Sequence, residues 1–353
     1  MITRGLLRYL LAAALVCTGT PVFAQYSVYF LSPLGPSGDG DTLGINQAGE
    51  VVGTNSSGQA FVYSLSAGIK IIGGTGTYAS AINDSGQIAM AVGGHAQIFT
   101  RSTGQLTDLG TLGGPFSFPM AINSSGVVVG QSRDSSGQYL PFMFSGGQMF
   151  NLGSFGGSVP QCAAMGVNTS GEPVGSCWNP VGYVRAFYVS KGMKDFDPSH
   201  ISYSSYASAI NDSGVAVGGS KRIQCAPRSL NFCEGPAWRA TIFSPNGTIQ
   251  VLGTLAPSYA YANANANAIN NAGDVVGTSV ATGAGYHGFI YTNGKLFDLN
   301  NWSFRDTSNN PLTGWVVVSA DGINDYGQIV ARASDPSGTL QIVLLTPAKF
   351  IVP

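Results

Sequence analysis

Apolar positions in this chain come in short runs, each cut by glycine and asparagine, and the runs recur. One phrase returns seven times: Gly44-Ile45-Asn46, Ala81-Ile82-Asn83, Ala121-Ile122-Asn123, Gly166-Val167-Asn168, Ala209-Ile210-Asn211, Ala268-Ile269-Asn270 and Gly322-Ile323-Asn324. A glycine follows each Asn three positions later, as at Gly49, Gly126 and Gly327, and an apolar stretch such as Val127-Val128-Val129-Gly130 comes next. Runs rich in β-branched and aromatic residues, bounded by turn formers, predict strands rather than helices. A fixed phrase at intervals of 37 to 59 residues predicts a repeat architecture.

The phrase itself predicts a tight hairpin. Asn at the first position of a type I turn can bond its side chain to the backbone two residues on. Glycine then takes the left-handed conformation that lets a three-residue loop rejoin its ladder. An Asn-based calcium loop would need carboxylates that several copies lack. The sequon Asn123-Ser124-Ser125 is read as a by-product of turn chemistry. The position two before each Asn is Ala or Gly in all seven copies, which predicts a strand crowded by its symmetry mates near a ring axis.

Each hairpin is followed by a third apolar segment, such as Ala60-Phe61-Val62-Tyr63 or Gly288-Phe289-Ile290-Tyr291, and a fourth, such as Gln105 to Leu109. Four strands per unit match a propeller blade. The seventh unit stops after its third strand, at Leu344 or Leu345. The segment Tyr26 to Leu31 supplies the missing fourth strand and leaves no bare sheet edge. The expectation is an all-β, seven-bladed β-propeller over residues 25–353, closed by an N-terminal strand that completes the last blade.

Leu109-Gly110-Thr111-Leu112-Gly113-Gly114, Ala121-Ile122-Asn123-Ser124-Ser125-Gly126, and Gly322 to Gly327 followed by Leu344-Leu345-Thr346-Pro347 resemble the bacterial extracellular HAF repeat family. The likeness covers nearly the whole mature chain. The name-giving triplet is approximated at His95-Ala96-Gln97, Arg185-Ala186-Phe187 and His287-Gly288-Phe289. The resemblance implies export and repetition, and brings no catalytic residue with it.

Arg4 and Arg8, an apolar run from Leu10 to Val16 and the small residues up to Ala24 predict a signal peptide over 1–24. No later stretch reaches the length a bilayer span requires. The expected destination is secreted, periplasmic or cell surface. Only 9% of the chain is charged, and outside the leader fourteen basic side chains face seventeen acidic ones. That balance argues against a nucleic-acid partner. Cys162, Cys177, Cys225 and Cys233 are read as disulfides of an oxidising compartment. Their spacing favours Cys162 with Cys177 and Cys225 with Cys233, while two other pairings satisfy the count. Neither pair has zinc-site spacing, and no metal or cofactor is expected.

With the small-residue strand innermost, the Asn-to-Gly turns line one rim of constant loop length. The other rim carries loops of variable length, with insertions at 221–236, 256–265 and 300–318. Such loops commonly hold binding residues. The candidate ligand residues there are Phe116, Phe118, Tyr139, Tyr183, Tyr259, Tyr261, Tyr286, Trp302 and Phe304, with Arg133 and Arg305. Tyr203, Arg222 and Arg228 belong to the same rim. Aromatics with a few arginines suit an extracellular glycan or a cell-surface protein, bound by a monomer. The competing reading is that many of these rings pack their own loops. A rival function is a polysaccharide-active enzyme, glycosidase or lyase, with two carboxylates in a central or rim pocket. Asp195, Asp197, Asp306 and Asp335 show no spacing that predicts such a pair, and His95 and His287, at equivalent strand starts, read as structural. A structural or adhesive surface role is the third reading.

Overall fold

The computed structural model describes residues 25–31, 42–157, 160–199, 202–221, 224–225, 233–234, 237–259, 261–283 and 285–348. The leader and its cleavage point lie outside them, as do Arg222 and Arg228. Seven sheets of four or five strands follow one another along the chain, antiparallel but for one edge pair, and the blades are numbered in that order. The third blade is typical. Gly113–Ile122 is its inner strand, followed by Val128–Asp134, Tyr139–Ser145 and the outer Gln148–Asn151. The seventh blade takes Val316–Ile323, Ile329–Ser334 and Leu340–Pro347 from the C-terminal part and Gln25–Phe30 from the other end. Tyr26 to Phe30 run antiparallel to Val343–Pro347, so the propeller closes as the repeat predicts.

The outer edge of that blade departs from expectation. Ser303–Arg305 adds a fifth strand, parallel to Gln25–Ser27, and covers the N-terminal strand. The insertion at 300–318 is therefore drawn to an exposed ladder edge, whose unpaired backbone groups it satisfies.

Seven separate apolar cores hold the ring, each between two adjacent blades. Val52, Ala60 and Val62 of the first blade, for example, pack on Ala79, Ile82, Ile88 and Met90 of the second. The seam that joins the chain ends is built the same way. Leu31, Val330, Ile342 and Leu344 of the seventh blade pack on Leu43, Val51, Phe61 and Tyr63 of the first. Phe61, Phe142, Phe187 and Phe289, from the third strands, are fully buried.

The seven asparagines do more than turn the chain. Each is buried, and its Oδ1 accepts from the amide four residues on, as Val127 N to Asn123 Oδ1 at 2.9 Å. The expected bond two residues on is present at Asn83, Asn123, Asn211 and Asn324. The remaining donor, Nδ2, reaches the next blade and donates to the backbone oxygen of its asparagine. The chain of donors runs from Asn46 to Asn83, Asn123, Asn168, Asn211, Asn270 and Asn324 and back to Asn46. Seven links close a circle about the axis. Asn123 is thereby locked inside the fold, in line with reading its sequon as turn chemistry.

The small residue two before each Asn has its predicted cause. A Cβ on Gly44 would lie 2.9 Å from the Ala81 Cα of the next blade.

Candidate functional site

The inner strands carry a register shift at one repeated place. The ladder skips a residue between Ala79 and Ala81, Pro119 and Ala121, Ala164 and Gly166, Ala207 and Ala209, Ala266 and Ala268, and Ala320 and Gly322. The skipped residue sits three before the asparagine: Ser80, Met120, Met165, Ser208, Asn267 or Asp321. A bulge leaves its extra residue unpaired and re-aims the side chain. The backbone crowds the strand alongside, where a Cβ on Gly130 would fall 2.0 Å from the Phe118 oxygen.

All six bulged residues, with Leu43 at the matching place in the first blade, line one cavity of about 720 Å³. That volume lies within the usual range of ligand sites. Tyr78, Phe118 and Gln131 are among the other residues of its wall. The lining comes from the upstream half of the inner strands, away from the asparagine turns, so the cavity opens toward the variable rim. Tyr78 is half exposed at the mouth. Asp321 is the one carboxylate on this wall among the described residues. Burial raises its carboxyl above the ordinary 3.8, opposed by the Arg332 guanidinium 3.1 Å away and by the Ser319 hydroxyl.

Of the rim aromatics expected from sequence, Phe118 alone lines this cavity among the described residues. Phe116 and Tyr139 flank the Arg133 guanidinium, 5.5 and 4.5 Å from their ring centroids. Tyr183 packs on Tyr203 with centroids 4.4 Å apart. Tyr259 and Tyr261 form an exposed edge-on pair, and Tyr286 is also exposed. Trp302, Phe304 and Arg305 are not on the variable rim. Trp302 stacks on Tyr26, Phe304 is buried in the core of the seventh blade, and Arg305 donates to the Asn309 oxygen. The fifth strand carries them to the outer edge of the blade.

The opposite mouth of the axis is polar and constant. Ile45, Ile82, Ile122, Val167, Ile210, Ile269 and Ile323 line it beside the asparagines, in a cavity of about 260 Å³. The residue after each Asn builds a second, outer set of links. Thr169 N donates to Asp212 Oδ1, Asp212 N to Asn271 Oδ1, Asn271 N to Asp325 Oδ1, and Asp325 N to Gln47 Oε1. Asp212 and Asp325 both accept from Asn271 Nδ2, at 3.0 Å each. Each accepts three hydrogen bonds from neighbouring blades. Hydrogen bonds from Thr169 and Asn271 outweigh burial and hold Asp212 below the ordinary carboxylate range. A general acid needs the opposite shift.

The remaining carboxylates named from sequence are held by partners of their own, and Asp195 also lines a pocket between the fourth and fifth blades. Asp195 and Asp197 face the buried Arg185. Asp306 and Asp335 cap exposed turns, held below the ordinary range chiefly by the Asn310 side chain and the Ser337 hydroxyl. His95 and His287 bond Asp108 and Asp298 through Nδ1 at 3.0 and 2.7 Å, the same pairing in two blades. Cys162 and Cys177 stand directly opposite in their ladder and are disulfide-bonded. Cys225 and Cys233 are opposite each other in a separate two-stranded ladder.

The residues missed by sequence reasoning are the bulged ones. Their signal was present. Within an otherwise repeating phrase, the position three before Asn runs Leu, Ser, Met, Met, Ser, Asn, Asp.

No helix among the described residues is long and apolar enough to cross a membrane. No family model matches the chain, and no curated protein does. The extracellular domain assigned to the one component system BT4673 from B. thetaiotaomicron is similar at a TM-score of 0.50 and 11% identity, over 91% of this chain and 40% of that one. The Mitotic Checkpoint Complex contains a chain similar at 0.45 and 11%, over 94% and 97%. TolB from Acinetobacter baumannii follows at 0.39 and 10%, over 92% and 63%. At 11% identity the first of these likenesses bears on the fold alone, and the sheets of the chain itself are those of a seven-bladed β-propeller.

Proposed function

We propose that this protein is an exported binding module that takes an extracellular ligand, a glycan or a segment of a surface protein, in the axial cavity at the variable rim. One observation carries the reading. A position that varies from copy to copy, three before the asparagine, is the position that a bulge turns into the cavity in six blades. Ring closure fixes the scaffold, and these side chains set what it holds. Tyr78 and Phe118 offer stacking faces, while Ser80, Gln131, Ser208 and Asn267 offer hydrogen-bonding groups. That mixture suits a sugar ring better than a charged ligand. Export is supported by the leader-like first 24 residues and by the Cys162–Cys177 disulfide, which an oxidising compartment favours. The likeness to the HAF repeat family points the same way.

A glycan array probed with the mature chain tests this. Hits are expected, and Ser208→Trp together with Met120→Trp should abolish them by filling the cavity. Hits that survive both changes would move the ligand elsewhere, with Tyr261→Ala then testing the outer rim. A blank array removes the glycan and leaves the protein partner.

A further inference from the structure

The position four after each asparagine is a carboxylate in three blades: Glu50, Glu172 and Asp274. Each accepts from its own asparagine's Nδ2. Beyond that shared bond the three differ, and the difference is informative. Glu50 of the first blade is answered by Arg101, which enters from the turn just after the third strand of the second blade and places Nη1 2.5 Å from Oε1. Asp274 lies beside Tyr26 of the seventh blade, close enough to help raise that phenol's pKa beyond the effect of its burial. Glu172 of the fourth blade has no cation within 4 Å among the described residues.

The repeat explains why. Aligning His95-Ala96 in the second blade with Arg239-Ala240 in the fifth puts Pro245 at the place of Arg101. The structure agrees with that alignment. A Cβ on Gly86 would meet Arg101 Cβ at 3.8 Å, and one on the equivalent Gly214 would meet Pro245 Cγ at 3.2 Å and Glu172 Oε2 at 3.8 Å. Where the arginine is absent, a cavity of about 240 Å³ lies between the fourth and fifth blades. Glu172, Tyr188, Phe196 and Pro245 are among its walls.

We propose that this inter-blade pocket receives the guanidinium of an arginine carried by a partner protein. The chain supplies its own template, since one copy of the site is already filled by an arginine from the neighbouring blade. The carboxylate offers a charge-assisted bond of the kind guanidinium makes best. Tyr188 and Phe196, with ring centroids 4.9 Å apart, add an aromatic wall suited to a cation. The pocket is on the asparagine-turn rim, opposite the axial cavity, so its fate is independent of the ligand proposed there.

An NMR-detected titration of the full mature chain with N-acetyl-arginine amide tests the proposal. Saturable shifts at Ser244 and Gly247 are expected, and the neutral isostere N-acetyl-citrulline amide should give none. Glu172→Gln should weaken binding about tenfold or more, as loss of a charge-assisted bond requires. Pro245→Arg should abolish it by filling the pocket from within. Arg101→Ala should open a second saturable site near Glu50, a gain that misfolding cannot imitate. A capped Ala-Arg-Ala peptide should bind more tightly than the capped amino acid. The proposal fails if wild type shows no saturable shift at millimolar probe, or if Glu172→Gln and Pro245→Arg leave the shifts unchanged. Equal or weaker binding of the peptide would overturn the assignment to a partner protein.

Discussion

Asn324 donates through Nδ2 to the backbone oxygen of Asn46, 3.0 Å away across 278 residues of sequence. This bond closes the asparagine circle where the chain itself does not, between the last inner strand and the first. Replacing Asn324 by Ala removes that link and also the Oδ1 acceptor of the Gln328 amide. A buried group left without its partner costs about 1–3 kcal/mol, so a loss of roughly 2 kcal/mol is expected in urea unfolding. Tyr326→Ala, in the same turn but 73% exposed, should stay within about 0.5 kcal/mol of wild type. Equal effects at the two positions would show that the circle adds nothing.

The second closure is the N-terminal strand. Tyr26, Val28 and Leu31 are buried, and Val28 faces Leu345 in the ladder. A chain beginning at residue 32 would expose the edge of Leu340–Pro347 and open both flanking cores. An unpaired, apolar edge invites pairing with another chain. Light scattering should therefore show self-association, and the melting temperature should fall sharply. A monomeric truncated chain with an unchanged melt would contradict the closure.

Much of this ring was legible in the sequence because its constraints are repeated. The small residue before Ile-Asn or Val-Asn and the glycine after it follow from local sterics applied seven times, and the split seventh blade from the strand missing in its unit. The inter-blade use of Asn Nδ2 was not legible, since turn chemistry already accounts for an asparagine there and hides its second task. Trp302 and Phe304 were misplaced for another reason. An insertion's length says that it leaves the blade but not which way it goes, and here an open ladder edge beside Gln25–Ser27 captured it. The cavity residues were hidden by expectation: a variable residue inside a conserved-looking phrase reads as noise until the register shift shows where it points.

The disulfide gives a third measurement. Cys162 and Cys177 close a loop of 15 residues, for which the chain-entropy treatment gives about 3 kcal/mol. The double variant Cys162→Ala with Cys177→Ala should lose roughly that much stability. Peptide mapping of the protein without reductant should return Cys162 with Cys177 and, from the facing positions in their ladder, Cys225 with Cys233. A crossed pairing would contradict the register.

Asp321 should leave a signature in the pH dependence of stability. Its carboxyl is raised above 3.8 in the folded state, chiefly by burial. A group raised on folding favours the folded state when protonated, and that contribution is lost as pH rises through its folded value. Asp321→Asn cannot ionise. The stability of the variant relative to wild type should therefore climb as pH rises above 3.8, and level off once Asp321 is charged. Denaturant midpoints across that range give the curve. A difference that falls with rising pH would mean that Arg332 dominates and that the carboxyl is held down.

Ser208 separates architecture from recognition. It is the residue skipped between Ala207 and Ala209, so its side chain packs in no ladder and lines the axial cavity instead. Ser208→Trp should leave stability within about 0.5 kcal/mol of wild type, as for a change that meets no packed neighbour. Ala207, one residue earlier, is fully buried in the core between the fourth and fifth blades. There an added side chain has no space, and Ala207→Leu should cost about 1–3 kcal/mol. Comparing the two variants by denaturant unfolding therefore tests the bulge directly. Similar large losses at both positions would mean that residue 208 faces the packed core, and the axial cavity would lose one of its walls.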